Sequence, residues 1–430
     1  MDDQERFVPI RMAGIVMVRQ MNARLTQMLT IDVGQLLKVH LQEWTVVPFL
    51  MVFTVVFKMS VELNILEMHA LSYLVLAMSL LSFFVMSAIN VRTGFISRYV
   101  AAVVLFQALM LASTFIGGTD IKDCLYQSCL IIFIAMVSDH FKERFHFLVA
   151  AFALSFSFCA YLNFYHLMTH PDLWIVDDLK STQGYILGGN YNSMGCRLLC
   201  AVGMSMVCLK YSKWWLLNAV PVTLVSIATL GIVKSMTALS GIMLLLLFCL
   251  IPSRKLLKAG IAALIAAVIL FQILVCFQGK GIENNALAAW FVEDVLGKDI
   301  TFTHRTYMWD AASKVFGGSP LIGYGLVDAE WYYTHMSTYA KGPHNFIWGL
   351  LLYGGIALLA VFTYICYMAF IKLPATGDKY ILLIYATAAV MFLMMLMEVY
   401  PPPFILTLLS LAFFAPRSQE SLKLEATNTN

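Results

Sequence analysis

Charge is what this sequence has least of. Only 12% of its 430 residues are Asp, Glu, Lys or Arg, against about 25% in a soluble globular domain. Hydrophobic residues make up 60% and the mean hydropathy is +0.80, so lipid is the expected solvent for most of the chain. A net charge of +3 carries no nucleic-acid signal in such a chain, and no nucleic-acid partner is expected. The sequence also lacks any CxxC pair or Cys/His spacing of a metal site. Its nine cysteines lie mostly inside apolar runs and read as small packing residues. Cys124 and Cys129 are the one close pair, and no disulfide is expected there. No cleavable signal peptide is visible. Residues 1–43 mix Arg6, Arg11, Arg19 and Arg24 with Asp2, Asp3 and Glu5, and read as an amphipathic segment on the cytoplasmic surface. No internal repeat is apparent.

Long apolar runs are what the chain has instead. A crossing helix needs about 20 apolar residues, and twelve candidate spans follow: 44–58, 69–89, 97–117, 123–139, 145–165, 191–209, 214–233, 236–251, 256–276, 343–371, 379–397 and 401–416. The expected fold is all-α, a polytopic transmembrane helical bundle of about twelve spans, counted by the ~20-residue rule. Nine spans would fill 44–276 and three 343–416, with a cytoplasmic tail at 417–430. With the N-terminus cytoplasmic, every inner loop is basic: Arg92 and Arg98, Lys142 and Arg144, Lys210 and Lys213, Arg254 with Lys255 and Lys258, Lys372 and Lys379. Outer loops lean acidic, with Glu62, Glu67, Asp120, Asp123, Asp172, Asp177, Asp178 and Glu398. That bias puts both termini inside.

Two outer loops are long, at 166–190 and 277–342. The second is the expected extracytoplasmic site, because function concentrates on long ordered loops. It holds a helix-like stretch, "HRTYMWDAASKVF", and a glycine-rich turn, "GGSPLIGYG".

Ionisable residues in a bilayer are functional candidates by default. Arg197 and Lys234 sit toward the outer ends of their spans. Arg197 reads either as a ligand for an anion or as a side chain snorkelling to a carbonyl, and Lys234 as an interfacial lysine between two spans. In the long loop, Arg305 opens the expected helix, Lys314 reads as a solvated helix residue, and Lys341 precedes "GPHN". There Pro343 favours a first helical turn, which would put His344 and Asn345 at a helix N-terminus, a site for an anion. His344 could instead simply cap that helix, or take a proton from a hydroxyl. His304 and His335 have no metal-ligand spacing. Asp177 and Asp178 read as a solvated loop. Glu62 and Glu67 could serve as a base or hold a divalent ion.

The stretch "HRTYMWDAASKVFGGSPLIGYG", followed by "HNFIWGLLLYGGIALL", resembles the conserved region of the O-antigen ligase and polymerase family of membrane proteins. The matching positions are Arg305, Trp309, Pro320, Gly323, Gly325, His344, Asn345, Gly354 and Gly355. "GGNYNSMGCRLL" is similar to the family's Asn-x-x-Gly element through Asn192 and Gly195. "KSMTALSG" departs from its Ser-Arg element, with Met236 where an arginine is usual and Lys234 nearby.

The resemblance implies a GT-C-type glycosyltransferase of the bacterial cytoplasmic membrane, working on its outer face without cofactor, metal or nucleotide sugar. Its partners would be an undecaprenyl-diphosphate-linked glycan donor, a glycan acceptor, the lipid bilayer and a chain-length regulator. Arg305, helped by Arg197 and Lys341, would bind the diphosphate, and His344 would orient or deprotonate the acceptor hydroxyl. Trp309, Asn345, Asn192, Gly323 and Gly325 would shape the site. A polymerase of surface polysaccharide is the expected reaction; a ligase moving finished glycan to lipid A-core is the alternative. A transporter of lipid-linked sugars and a non-catalytic scaffold are the rivals of other classes.

Overall fold

The computed structural model of the chain describes residues 46–93, 96–171, 185–284, 290, 294, 304–336 and 342–416. The chain divides into two units, Met1–Met51 and Val52–Asn430. Residues 46–51, the described part of the first, begin helix α1 (Val46–Ser60). Among the described residues the structure is all-helical, with isolated bridges and no strand.

Each of the twelve apolar runs forms a helix. They are α1 and then α2 (His69–Thr93), α3 (Arg98–Gly117), α4 (Ile121–His140), α5 (Phe145–Thr169), α6 (Met194–Cys208), α7 (Leu216–Ile232), α8 (Met236–Leu250) and α9 (Arg254–Phe271). Among the described residues of the long loop two α-helices form, α10 (Arg305–Phe316) and α11 (Ala329–His335). The last three are α12 (Phe346–Phe370), α13 (Lys379–Met395) and α14 (Pro402–Phe414). Seven are long and apolar enough to cross a membrane; α1, α6, α8, α13 and α14 are shorter. The polar residues between the runs set the boundaries. Ser97, Asp120, Ser253 and Asp378 each accept an N–H from the first turn that follows, and Gly118 closes α3 in the left-handed conformation. Large apolar side chains stand on the surface of the helices, among them Leu81, Phe115, Leu217 and Leu250.

α6 lies deepest. Every residue of it except Met206 is buried, and it packs on α5, α7, α8 and α13. Gly203 permits that approach, since a Cβ there would fall 2.4 Å from the Thr387 hydroxyl of α13. Arg197, one turn into α6, is thereby carried into the interior.

The expected single span at 343–371 is a broken helix. Gly354 and Gly355 leave helical geometry, Gly355 with φ +63°. The glycine-rich turn of the long loop inserts into that break. Tyr324 N–H and Gly325 N–H donate to the carbonyls of Leu352 and Tyr353, at 2.7 and 2.9 Å. On the other side, Ile356 and Ala357 donate to the carbonyls of Pro320 and Leu321, at 2.9 and 3.2 Å. Ser113 of α3 also donates to the carbonyls of Ile322 and Tyr353. The reason is hydrogen bonding: irregular backbone inside a bundle persists only where its polar groups find partners. Glycine is needed at both faces of the contact. A Cβ on Gly323 would lie 2.6 Å from the Gly354 nitrogen, and one on Gly355 2.3 Å from the Leu321 carbonyl carbon.

Candidate functional site

Arg197 sits at 4% exposure, in no ion pair among the described residues. One terminal nitrogen (Nη1) donates to the Ser193 carbonyl at 2.6 Å and the other (Nη2) to the Met59 carbonyl at 3.3 Å. The guanidinium carbon lies 4.5 Å from the centre of the Phe404 ring. Its Nε–H is buried without a hydrogen bond. Space for the head group comes from Gly188, where a Cβ would fall 2.3 Å from the Arg197 Nη1. Both readings of this arginine therefore hold a part of what is found: it grips carbonyls, and among the described residues its buried charge makes no ion pair.

That charge borders a cavity of about 250 Å3 whose lining includes Lys58, Glu62, Tyr353 and Tyr400. Pro401, Pro402 and Pro403 form another part of the wall. Burial holds the Tyr400 phenol well above its ordinary value; Cys196 and Glu398 push the same way, while Arg305 and Arg197 pull it down. Tyr400 is thus a hydroxyl donor at working pH, within the fields of both arginines. Gly195 allows its approach, since a Cβ there would lie 3.1 Å from the Tyr400 hydroxyl.

Two residues before Tyr400, Glu398 faces His344. The His344 Nδ1 lies 3.3 Å from Oε1 and 3.4 Å from Oε2 of that carboxylate. Such a pair fixes the ring and leaves its Nε2 as the nitrogen for another partner. His344 does not stand in the first helical turn, as Pro343 suggests. Asn345 is the cap of α12, its side chain accepting the Trp348 N–H at 3.0 Å, and His344 precedes it with φ +46°. The histidine is therefore not the group that caps the helix.

Asn345 is fully buried and also donates to the Gln272 side chain at 2.8 Å and the Leu396 carbonyl at 3.1 Å. It anchors the histidine's backbone. Trp309 is fully buried in a cluster with Cys276, Tyr332, Trp348 and Leu352, which seats α10 on α12. Arg305, at the first position of α10, is partly buried, and among the described residues no hydrogen bond or ion pair engages it. Gly325, φ +83°, packs on α3, where a Cβ would fall 2.4 Å from the Thr114 Cα. Asn192 is half-buried; its carbonyl receives the Gly195 N–H, while the side chain that anchors this turn is Asn190, accepting from Ser193 N at 2.8 Å.

Lys341, Asp177 and Asp178 lie outside the described residues. Lys234 is exposed at the turn between α7 and α8 with φ +53°. Lys314 pairs with Asp310 at 2.9 Å. Glu62 lines the cavity, and Glu67 ends a short 3-10 turn with left-handed backbone. Cys124 and Cys129 are free thiols.

Glu398 and Tyr400 were missed as site residues by sequence reasoning. The signal available was "EVYPPP", an acid and a phenol set between an apolar run and three prolines. The chain matches no protein-family model and no curated protein, so the resemblance to the O-antigen family rests on its motif residues alone.

Proposed function

We propose that this chain is a membrane glycosyltransferase that polymerises undecaprenyl-diphosphate-linked repeat units into a surface polysaccharide. The carrying observation is the buried Arg197, in no ion pair among the described residues, on a cavity also lined by Tyr400, two residues along the chain from Glu398, the partner of His344. In this reading the acceptor hydroxyl attacks the anomeric carbon, and its proton passes to Nε2 of His344. The bond from that carbon to the diphosphate breaks, and the electron pair leaves on the diphosphate oxygen. Arg197, Lys58 and the Tyr400 hydroxyl stabilise that growing negative charge, and Arg305 grips the phosphate from the less buried side. Attack opposite the leaving group inverts the sugar. In the full reading all twelve helices belong to the membrane, and the site opens on the outer face, where the charge bias puts it.

The break in α12 favours a second reading, a transporter of lipid-linked sugars, because many membrane transporters place their sites at discontinuous helices. Against it, the amides and carbonyls at this break are already bonded to residues 320–325.

A complementation gel tests the proposal. The gene is deleted in its host and restored as wild type or as His344→Ala, and the surface glycan is separated by size. Single repeat units without a ladder in the deletion are the result expected of a polymerase. Long glycan left on undecaprenyl diphosphate would identify the ligase reaction instead. A wild-type ladder from the His344→Ala strain would remove the histidine from the chemistry.

A further inference from the structure

Helix α10 has two faces. Arg305, Trp309 and Ala312 recur at helical spacing, and Trp309 and Ala312 are buried in the cluster against α12. Tyr307 and Lys314 lie on the opposite face. There a separate open cavity of about 600 Å3 is lined by Lys280, His304, Lys314, His335 and Tyr307, with Asp310 as its acid. None of the residues that border the Arg197 cavity belongs to it.

Its chemistry is cationic and aromatic together. The Lys280 ammonium stands 4.0 Å from the centre of the Tyr307 ring. His335 stacks on Trp331 with ring centres 4.4 Å apart, and its Nδ1 meets the Trp331 carbonyl at 2.9 Å. The Thr334 hydroxyl lies 2.8 Å from the same nitrogen, so both local contacts engage Nδ1. Among the described lining residues, two lysines face one aspartate. The Lys314–Asp310 pair is held loosely, with the lysine side chain 77% exposed, and such surface pairs contribute about 0–1 kcal/mol. Lys314 can therefore turn to an incoming anion at little cost. The flat apolar faces of a pyranose pack on aromatic rings, and a carboxylate on that pyranose would reach the ammonium groups above them.

We propose that this cavity is a second binding site, for carboxylate-bearing sugar units of a glycan chain. That the ligand is a glycan rests on the glycosyltransferase reading; the separation of the two cavities, which share no lining residue, does not. An acidic repeat unit held here would lie across the helix from Arg305, away from the departing diphosphate.

The test is calorimetric binding to the full-length protein in nanodiscs, with hexagalacturonate as the acidic probe and maltohexaose as the neutral one. Hexagalacturonate is expected to bind at least about tenfold more tightly, the factor that one charge-assisted hydrogen bond supplies. Lys280→Gln and Lys314→Gln should each weaken it, and Tyr307→Ala should weaken both sugars. Arg305→Ala and His344→Ala should leave it unchanged. Equal affinity for the two sugars, no binding, or indifference to both lysine substitutions would overturn the proposal, as would loss of binding in Arg305→Ala. Binding that persists in a protein without transfer activity would keep this site and remove the enzyme reading; transfer without binding would do the reverse.

Discussion

Arg197 and Arg305 bring the same group to opposite settings. Arg197 is 4% exposed, bonded to two carbonyls and laid on Phe404. Arg305 is partly exposed at the start of a loop helix, with no bond to any described residue. Neither has a carboxylate partner among the described residues. A buried guanidinium is costly to desolvate, so one kept without a counter-charge works against stability and needs another reason to be there. A partly exposed guanidinium on a loop helix costs little to keep hydrated and can move with a ligand. The buried one is pre-organised and the exposed one adaptable, and both act on Tyr400.

Removing the adaptable arginine has the largest expected effect. Arg305→Ala should cut transfer by at least about 100-fold, the usual consequence of losing one stabiliser of developing charge. Its level in the membrane should stay normal on an immunoblot. A drop in protein level that accounts for the loss would move Arg305 from chemistry to folding.

The buried arginine sharpens the contrast. Arg197→Met should also lose most transfer, yet melt no lower than wild type, because a buried charge without an ionic partner is often matched or bettered by an apolar group. A clear fall in melting temperature would mean that its carbonyl bonds hold the fold, and the comparison would fail there.

The glycines around the broken helix make a third test, of scaffold and not of charge. Gly355→Ala forces a side chain into left-handed backbone 2.3 Å from the Leu321 carbonyl carbon. It should cost about 3 kcal/mol or more, read as loss of monodisperse protein on size-exclusion chromatography. Smaller effects belong to the groups that only orient. Glu398→Gln should slow transfer by about tenfold through the loosened His344 ring. An unchanged rate in that variant would leave the histidine without its positioning partner.

The helices were legible in the sequence because uncharged runs bounded by Ser97, Asp120, Ser253 and Asp378 have few other solutions. The α10 helix was equally readable from its spacing. What sequence could not reveal was the depth of "SPLIGYG". Glycines there look like an outer turn, and only the contact with Gly354 and Gly355 makes them one half of an inserted pair. His344 was misplaced by a single residue, because Pro343 and Asn345 are both good helix starters and Asn345 makes the cap. Glu398 escaped for a different reason. An acid at the end of a span reads as a solvated loop until the chain brings a histidine to it from 54 positions away.

The most direct measurement uses purified protein, wild type or Arg305→Ala, with an undecaprenyl-diphosphate-linked repeat unit in detergent, following released undecaprenyl diphosphate and glycan length together. The account predicts that wild type releases the carrier as longer glycan appears, and that Arg305→Ala does neither. Donor left intact by the folded wild-type protein, or equal turnover by the two, would contradict it.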